Sequence, residues 1–184
     1  MLGYQRSIML GGVLMAIGMF LLMSPDLTSF LVGLAVVVVG NGLFKPNIST
    51  MVGKLYAQGD PRRDSAFTIF YMGINAGALA APIVCGSVIG AVFGYRWGFF
   101  AAGIGMILGL VVFQLAKHWL GQVGKAPAHR NGGRTFLQVI VGCVVLVVPV
   151  YFLLSESDIL GGLLIAMMLG LVAYFIWSGV HSGQ

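Results

Sequence analysis

Charge is scarce in this sequence. Only 8% of its 184 residues are charged, against 59% hydrophobic, and the mean hydropathy is +0.99. A soluble domain carries about a quarter of its residues as charged groups, so this scarcity excludes an ordinary water-soluble fold. Acid is scarcer still. The carboxylates are Asp26, Asp60, Asp64, Glu156 and Asp158, all in turns or at the ends of apolar runs. Cysteine is reduced to Cys85 and Cys143, both inside apolar segments, where they read as small packing residues and not as a disulfide framework. His118, His129 and His181 lie at segment ends or in loops, without metal-ligand neighbours. No HExxH, nucleophile–base pair or paired carboxylates occurs within an apolar run, so metal sites and intramembrane enzyme chemistry find no support. The net charge of +5 is spread over several loops and forms no stripe, which argues against a nucleic-acid partner.

What is abundant is apolar length. A helix needs about 20 mostly apolar residues to cross a bilayer. Six runs suffice: Ser7–Met23, Leu27–Leu55, Ala66–Phe93, Trp97–Leu120, Thr135–Leu154 and Ile159–Val180. The first shows no processing site and reads as a span, not as a cleavable leader. Ser24-Pro25-Asp26, Gly59-Asp60-Pro61, Phe93-Gly94-Tyr95 and Ser155-Glu156-Ser157-Asp158 supply breakers between the runs. The 28 glycines suit close helix packing in lipid. The sequence therefore predicts an all-α membrane protein of six transmembrane helices, multi-pass in the lipid bilayer. Lysine and arginine mark cytoplasmic loops. Arg6, Lys54, Arg62, Arg63, Lys117, Lys125, Arg130 and Arg134 fall on one side and Arg96 alone on the other. Both termini are thus expected in the cytoplasm. The polar stretch 121–134 reads as a cytoplasmic linker between four spans in 1–120 and a transmembrane hairpin in 135–184.

One basic residue belongs to neither side. Lys45 lies within "VVVVGNGLFKPNISTMV" (Val36–Val52) and is followed at once by Pro46. At ~1.5 Å per residue it sits roughly 27 Å along the helix from Leu27. That is the inner half of the span, where a lysine costs about 2.5 kcal/mol or more. Asn41, Lys45 and Ser49 recur every four residues and share one face. Pro46 removes a backbone hydrogen bond and, with Gly40 and Gly42, allows a bend. The next run repeats the theme: Phe67, Tyr71, Asn75 and Leu79 follow an i, i+4 rhythm, with Pro82 further on. Gly73 and Gly77 form a small-xxx-small pair that permits tight contact with a neighbour.

Two readings of these polar groups stand side by side. In one they line a water-filled cavity, with Asn75 and Tyr71 suited to an amide-rich ligand. In the other they are interhelical glue, with Lys45 paired and inert. The cost of the lysine favours the cavity. Its counter-charge is missing, because no carboxylate lies within a span. The partner is expected on helices outside this chain or on a second chain; alternatively, desolvation keeps the lysine neutral part of the time.

The stretches "GNGLFKPNISTMVGKLY" and "DPRRDSAFTIFYMGINAGALAAP" resemble the proton-coupled oligopeptide transporters, a branch of the major facilitator superfamily. The resemblance covers the first four spans in order, through a KPN-centred helix, an RRD turn and an FYxxINxG helix. The opening "LGYQRSIMLGG" resembles the end of the family's loop between helices two and three. The resemblance implies helices three to six of a partial N-terminal transporter half, followed by the hairpin that bacterial members place between their halves. It implies a proton-driven symporter of di- and tripeptides in the cell (inner) membrane, with the proton as coupling ion and no cofactor. Lys45 matches the lysine implicated in proton coupling and in attracting the peptide carboxylate, and Asn75 an asparagine contacting peptide polar groups. Tyr71 and Asn47 match motif positions, while Pro46, Gly73 and Gly77 suit helices that bend during alternating access. Nothing matches the family's ExxER motif, whose glutamates are plausible partners for Lys45. By this reading the chain is a fragment that needs the parent's missing helices and does not transport alone. A non-transporting scaffold or regulatory subunit, or a carrier of another small anion such as nitrate, remains open at this point.

Overall fold

The computed structural model describes residues 3–125 and 132–181, and its helices are joined by short turns. Helix α1 is Tyr4–Leu21 and α2 is Leu27–Lys54. Helix α3 runs continuously over Arg62–Phe93, with Pro82–Gly90 wound as a π-helix. Helix α4 is Tyr95–Ala116, α5 is Gly132–Ser155 and α6 is Ser157–His181.

Each boundary has a local cause. Leu22 and Ser24 donate back to the carbonyls of Gly18 and Leu21, each at 3.0 Å, and Pro25 then prevents continuation. Asp26 caps α2: its carboxylate accepts from the Ser29 backbone N–H at 2.9 Å and the Ser29 hydroxyl at 3.1 Å. Those bonds hold the Asp26 carboxyl below its usual range. Between α2 and α3 the chain turns at Gly59 with φ +85°, a conformation glycine adopts without strain. Asp60 then accepts from the Arg62 backbone N–H at 2.9 Å and from its guanidinium at 3.0 and 3.2 Å. The α3–α4 corner is made by Gly94 at φ +95°, whose N–H reaches the Gly90 carbonyl at 2.9 Å.

The core is the α1–α2 seam. A Cβ on Gly11 would lie 2.7 Å from the Gly40 carbonyl oxygen, and one on Gly40 would lie 2.8 Å from that of Gly11. Gly18 and Gly33 repeat this at 2.8 and 3.0 Å. The backbones therefore touch at two levels, which only side-chain-free positions permit. Ile8, Ala16, Ala35 and Val39 of these two helices are buried. Helix α4 adds to it through Leu110, which fills the space over Gly12, and through a Phe20–Phe100 contact with ring centres 5.7 Å apart. Helix α5 lays Ile140, Cys143, Val144 and Val147 along an apolar cleft bounded by α1 and α2, and Cys143 is buried. Over Arg62–Ala81, by contrast, α3 buries no residue.

This is an all-α membrane protein. Among the described residues, Tyr4–Leu21, Leu27–Lys54, Arg62–Phe93, Tyr95–Ala116 and Thr135–Ser155 are long and apolar enough to cross a bilayer. The sequence predicts a sixth span. That segment is helical over Ser157–His181, but its described apolar stretch is Leu164–Phe175, shorter than a bilayer requires, because side chains towards its two ends are not described. One boundary also shifts. Helix α4 stops at Ala116, and a run of turns with i→i+3 bonds extends to Gly124. The start of the expected linker is therefore docked: Gln5, 2% exposed, donates its amide to the Val123 carbonyl at 2.6 Å and its backbone N–H to that of Gly124 at 3.1 Å. Residues 126–131, with His129 and Arg130, lie outside the described residues.

Candidate functional site

Lys45 sits on the exposed side of α2, with Asn41, Pro46 and Thr50 exposed beside it and Ser49 half-buried. Pro46 offers no N–H to the turn before it. Side chains reinforce the backbone around that gap. Asn47 Nδ2 donates to the Leu43 carbonyl at 2.6 Å, and Thr50 Oγ1 donates to the Pro46 carbonyl at 2.8 Å. Asn47 is thus committed to its own helix, an arrangement that bends helices and partly satisfies carbonyls near a proline. The readable signal is an amide one residue after the proline and a hydroxyl four residues after it. Sequence reasoning named Asn47 without a role and left Thr50 out.

Helix α3 meets α2 where Gly53 faces Phe67, with a Gly53 Cβ 3.3 Å from the ring's Cζ. The Arg63 guanidinium lies over the same ring at 6.0 Å. One turn on, Tyr71 stacks against Phe67 at 6.4 Å and tilts against Phe70 at 5.7 Å. Its side chain is nonetheless 55% exposed, and Asn75, one turn further, is exposed as well. Consecutive helices thus place a cation, two amides and a phenol on exposed faces. Among the described residues, none of Lys45, Asn41, Tyr71 and Asn75 has a hydrogen bond or ion pair. The ion pair that is formed, Arg62–Asp60 at 3.0 Å, belongs to the turn, where Arg62 holds the Asp60 carboxyl below its usual range.

Among the described residues, nothing lies within 4 Å of a Cβ built at Gly73 or Gly77. Close approach belongs instead to Gly11 with Gly40 and Gly18 with Gly33. The signal for it was present as matched seven-residue spacings in consecutive helices. A second feature had no sequence signal beyond Pro82. The π-wound stretch Pro82–Gly90 brings the Cys85 carbonyl against Gly98 of α4. Such π segments are frequent at functional sites. Chemically, the exposed set can attract a carboxylate through Lys45 and hydrogen-bond amides through Asn41, Asn75 and Tyr71.

Comparison with known proteins bears on this set. The profile of the POT family matches residues 5–152. A di-/tripeptide transporter of Lactococcus lactis subsp. lactis is 39% identical over 168 residues, which is 86% of this chain and 33% of that protein. Dipeptide and tripeptide permease B of Xenorhabdus bovienii is 36% identical over 188 residues, covering 100% of this chain and 38% of its own length. This chain therefore spans about a third of the curated relatives it matches. Among solved structures, a mutant of the peptide transporter POT in complex with alafosfalin superposes with a TM-score of 0.70 at 36% identity, over 95% of this chain and 37% of that one. The tetrameric PepTSo2 superposes with a TM-score of 0.77 at 29% identity, over 95% and 39% of the two chains.

Proposed function

This chain belongs to the POT family, a family of transporters and not of enzymes, and from that premise we propose that it forms part of a proton-driven symporter of di- and tripeptides. Residues 1–120 supply four helices of one transporter half, 121–134 a cytoplasmic linker and 135–184 a hairpin. Both termini face the cytoplasm of a cell (inner) membrane. The observation that carries the reading is Lys45: a cation on an exposed face of an apolar helix, beside the exposed Asn41, with no counter-charge among the described residues. Such a charge is too costly to leave against lipid, so the face borders an aqueous cavity. Its carboxylate partner is supplied by helices outside this chain. Lys45 attracts the peptide carboxylate and couples to the proton, Asn75 and Tyr71 meet peptide polar groups, and Pro46, Gly73 and Gly77 let the helices bend.

The test is a chimera in which these residues replace the matching region of the Lactococcus lactis relative. Proteoliposomes are expected to accumulate a labelled dipeptide under an inward proton gradient, and Lys45→Ala to abolish that accumulation. Undiminished uptake by Lys45→Ala would remove the lysine from the mechanism. The 184-residue chain on its own is expected to give no uptake.

A further inference from the structure

Outside the residues assigned to peptide transport, α1 borders a second feature. At the end of the bundle where α1 begins and α4 finishes, a cavity of about 600 Å³ is bordered by Arg6, Gln114 and Lys117, with Met9, Val13 and Phe136 as its apolar floor. Neither Arg6 nor Lys117 has a carboxylate or hydrogen-bond partner among the described residues. Among the described residues, no acid lines this mouth.

Two apolar grooves lead away from the mouth, parted at Val13. One, of about 400 Å³, runs between α1 and α4 past Ile17, Phe20, Ile107 and Val111. The other, of about 420 Å³, runs between α1, α2 and α5 past Leu14, Val36, Ile140 and Val144. Val13 borders all three spaces, Leu10 is shared by the mouth and the second groove, and Met9 and Gln114 by the mouth and the first.

We propose that this is a binding site for a diacyl anionic phospholipid: the phosphate sits between Arg6 and Lys117, and one acyl chain lies in each groove. The basic residues are at the mouth only, and both grooves are lined by apolar side chains apart from Gln114 at the mouth end, as a headgroup with two chains demands. Basic pockets between helices at a membrane surface are suited to anionic headgroups. A soluble anion has no use for the grooves, and a peptide helix would not divide at Val13. The basic mouth lies at the same end of the bundle as Lys54 and Arg63, so the lipid belongs to the leaflet that those residues face.

Native mass spectrometry of the detergent-purified full chain tests this with phosphatidylglycerol, phosphatidylcholine and lysophosphatidylglycerol as probes. Near an anionic surface each basic residue contributes about fivefold to binding, so wild type is expected to retain phosphatidylglycerol roughly 30-fold over phosphatidylcholine. Arg6→Gln with Lys117→Gln brings the two lipids level. Arg6→Lys with Lys117→Arg keeps the preference and shows that charge, not folding, is being read. Arg62→Gln, at a cation already paired with Asp60, leaves the preference unchanged. Val13→Trp lowers retention of the two-chain lipid towards that of the lysolipid. The proposal is overturned if the double Gln variant keeps the preference, or if Arg62→Gln removes it equally. It also falls if the lysolipid or inorganic phosphate competes as well as the diacyl lipid.

Discussion

Helices α1 and α2 bring Gly11, Gly18, Gly33 and Gly40 to where backbones touch, whereas α3 carries Gly73 and Gly77 with nothing described within 4 Å. Helices α1 and α2 bury Ile8, Ala16, Ala35 and Val39, while Arg62–Ala81 of α3 buries nothing. Both regions read alike in sequence, as glycine-rich apolar helices with a proline. They differ in packing: the seam is closely packed, whereas Arg62–Ala81 of α3 has no buried residue and its Gly73 and Gly77 meet nothing among the described residues.

The largest effect is expected at the seam: Gly40→Val drives a branched side chain into the Gly11 carbonyl at 2.8 Å and is expected to cost on the order of 1–3 kcal/mol or more. Thermal unfolding in detergent reads it; an unchanged midpoint would mean that the seam is not closely packed. A smaller loss, about 1 kcal/mol, is expected for Asn47→Leu, which removes the 2.6 Å bond to the Leu43 carbonyl beside Pro46. Gly77→Ala is expected to leave this chain at least as stable as wild type, since alanine is the better helix former by about 1 kcal/mol and meets nothing within 4 Å. Destabilisation there would reveal a contact that α3 makes with another copy or element.

The smallest effect lies in the turn that joins the two regions. The Asp60 carboxyl is held below its ordinary value near 3.8, chiefly by the Arg62 guanidinium and then by the Arg62 backbone N–H. A depressed carboxylate stabilises the fold at any pH above its unfolded value and loses that contribution as pH falls through the folded one. The turn is therefore expected to hold unchanged from neutral pH down to about 4 and to loosen only below it. NMR shifts of the Arg62 and Arg63 amides report this, and Asp60→Asn is expected to erase the dependence.

Much of this was legible in advance for reasons that are local. The breakers at Pro25, Gly59 and Gly94 end helices because a missing N–H or a positive φ acts within one turn, and the structure turns at each. Lys45 and Asn75 could be singled out because a polar group in an apolar run is anomalous wherever the helix lies. What was not legible depends on neighbours. The end of α4 at Ala116 and the docking of Gln5 on Val123 join residues far apart in the chain. The π-wound stretch after Pro82 leaves no pattern of side-chain type.

By itself, the sequence determined that the chain lives in a membrane, where its helices start and stop, and which residues are too polar to be lipid-facing filler. These are consequences of transfer free energy and backbone chemistry, which act residue by residue. Only the tertiary structure decided which glycines are contact points and which are open. It alone showed that Lys45, Tyr71 and Asn75 are exposed and, among the described residues, without a hydrogen bond or ion pair, and that Arg6 and Lys117 stand over two apolar grooves. Those outcomes depend on how helices rotate against one another, and many different rotations satisfy the same apolar composition in lipid.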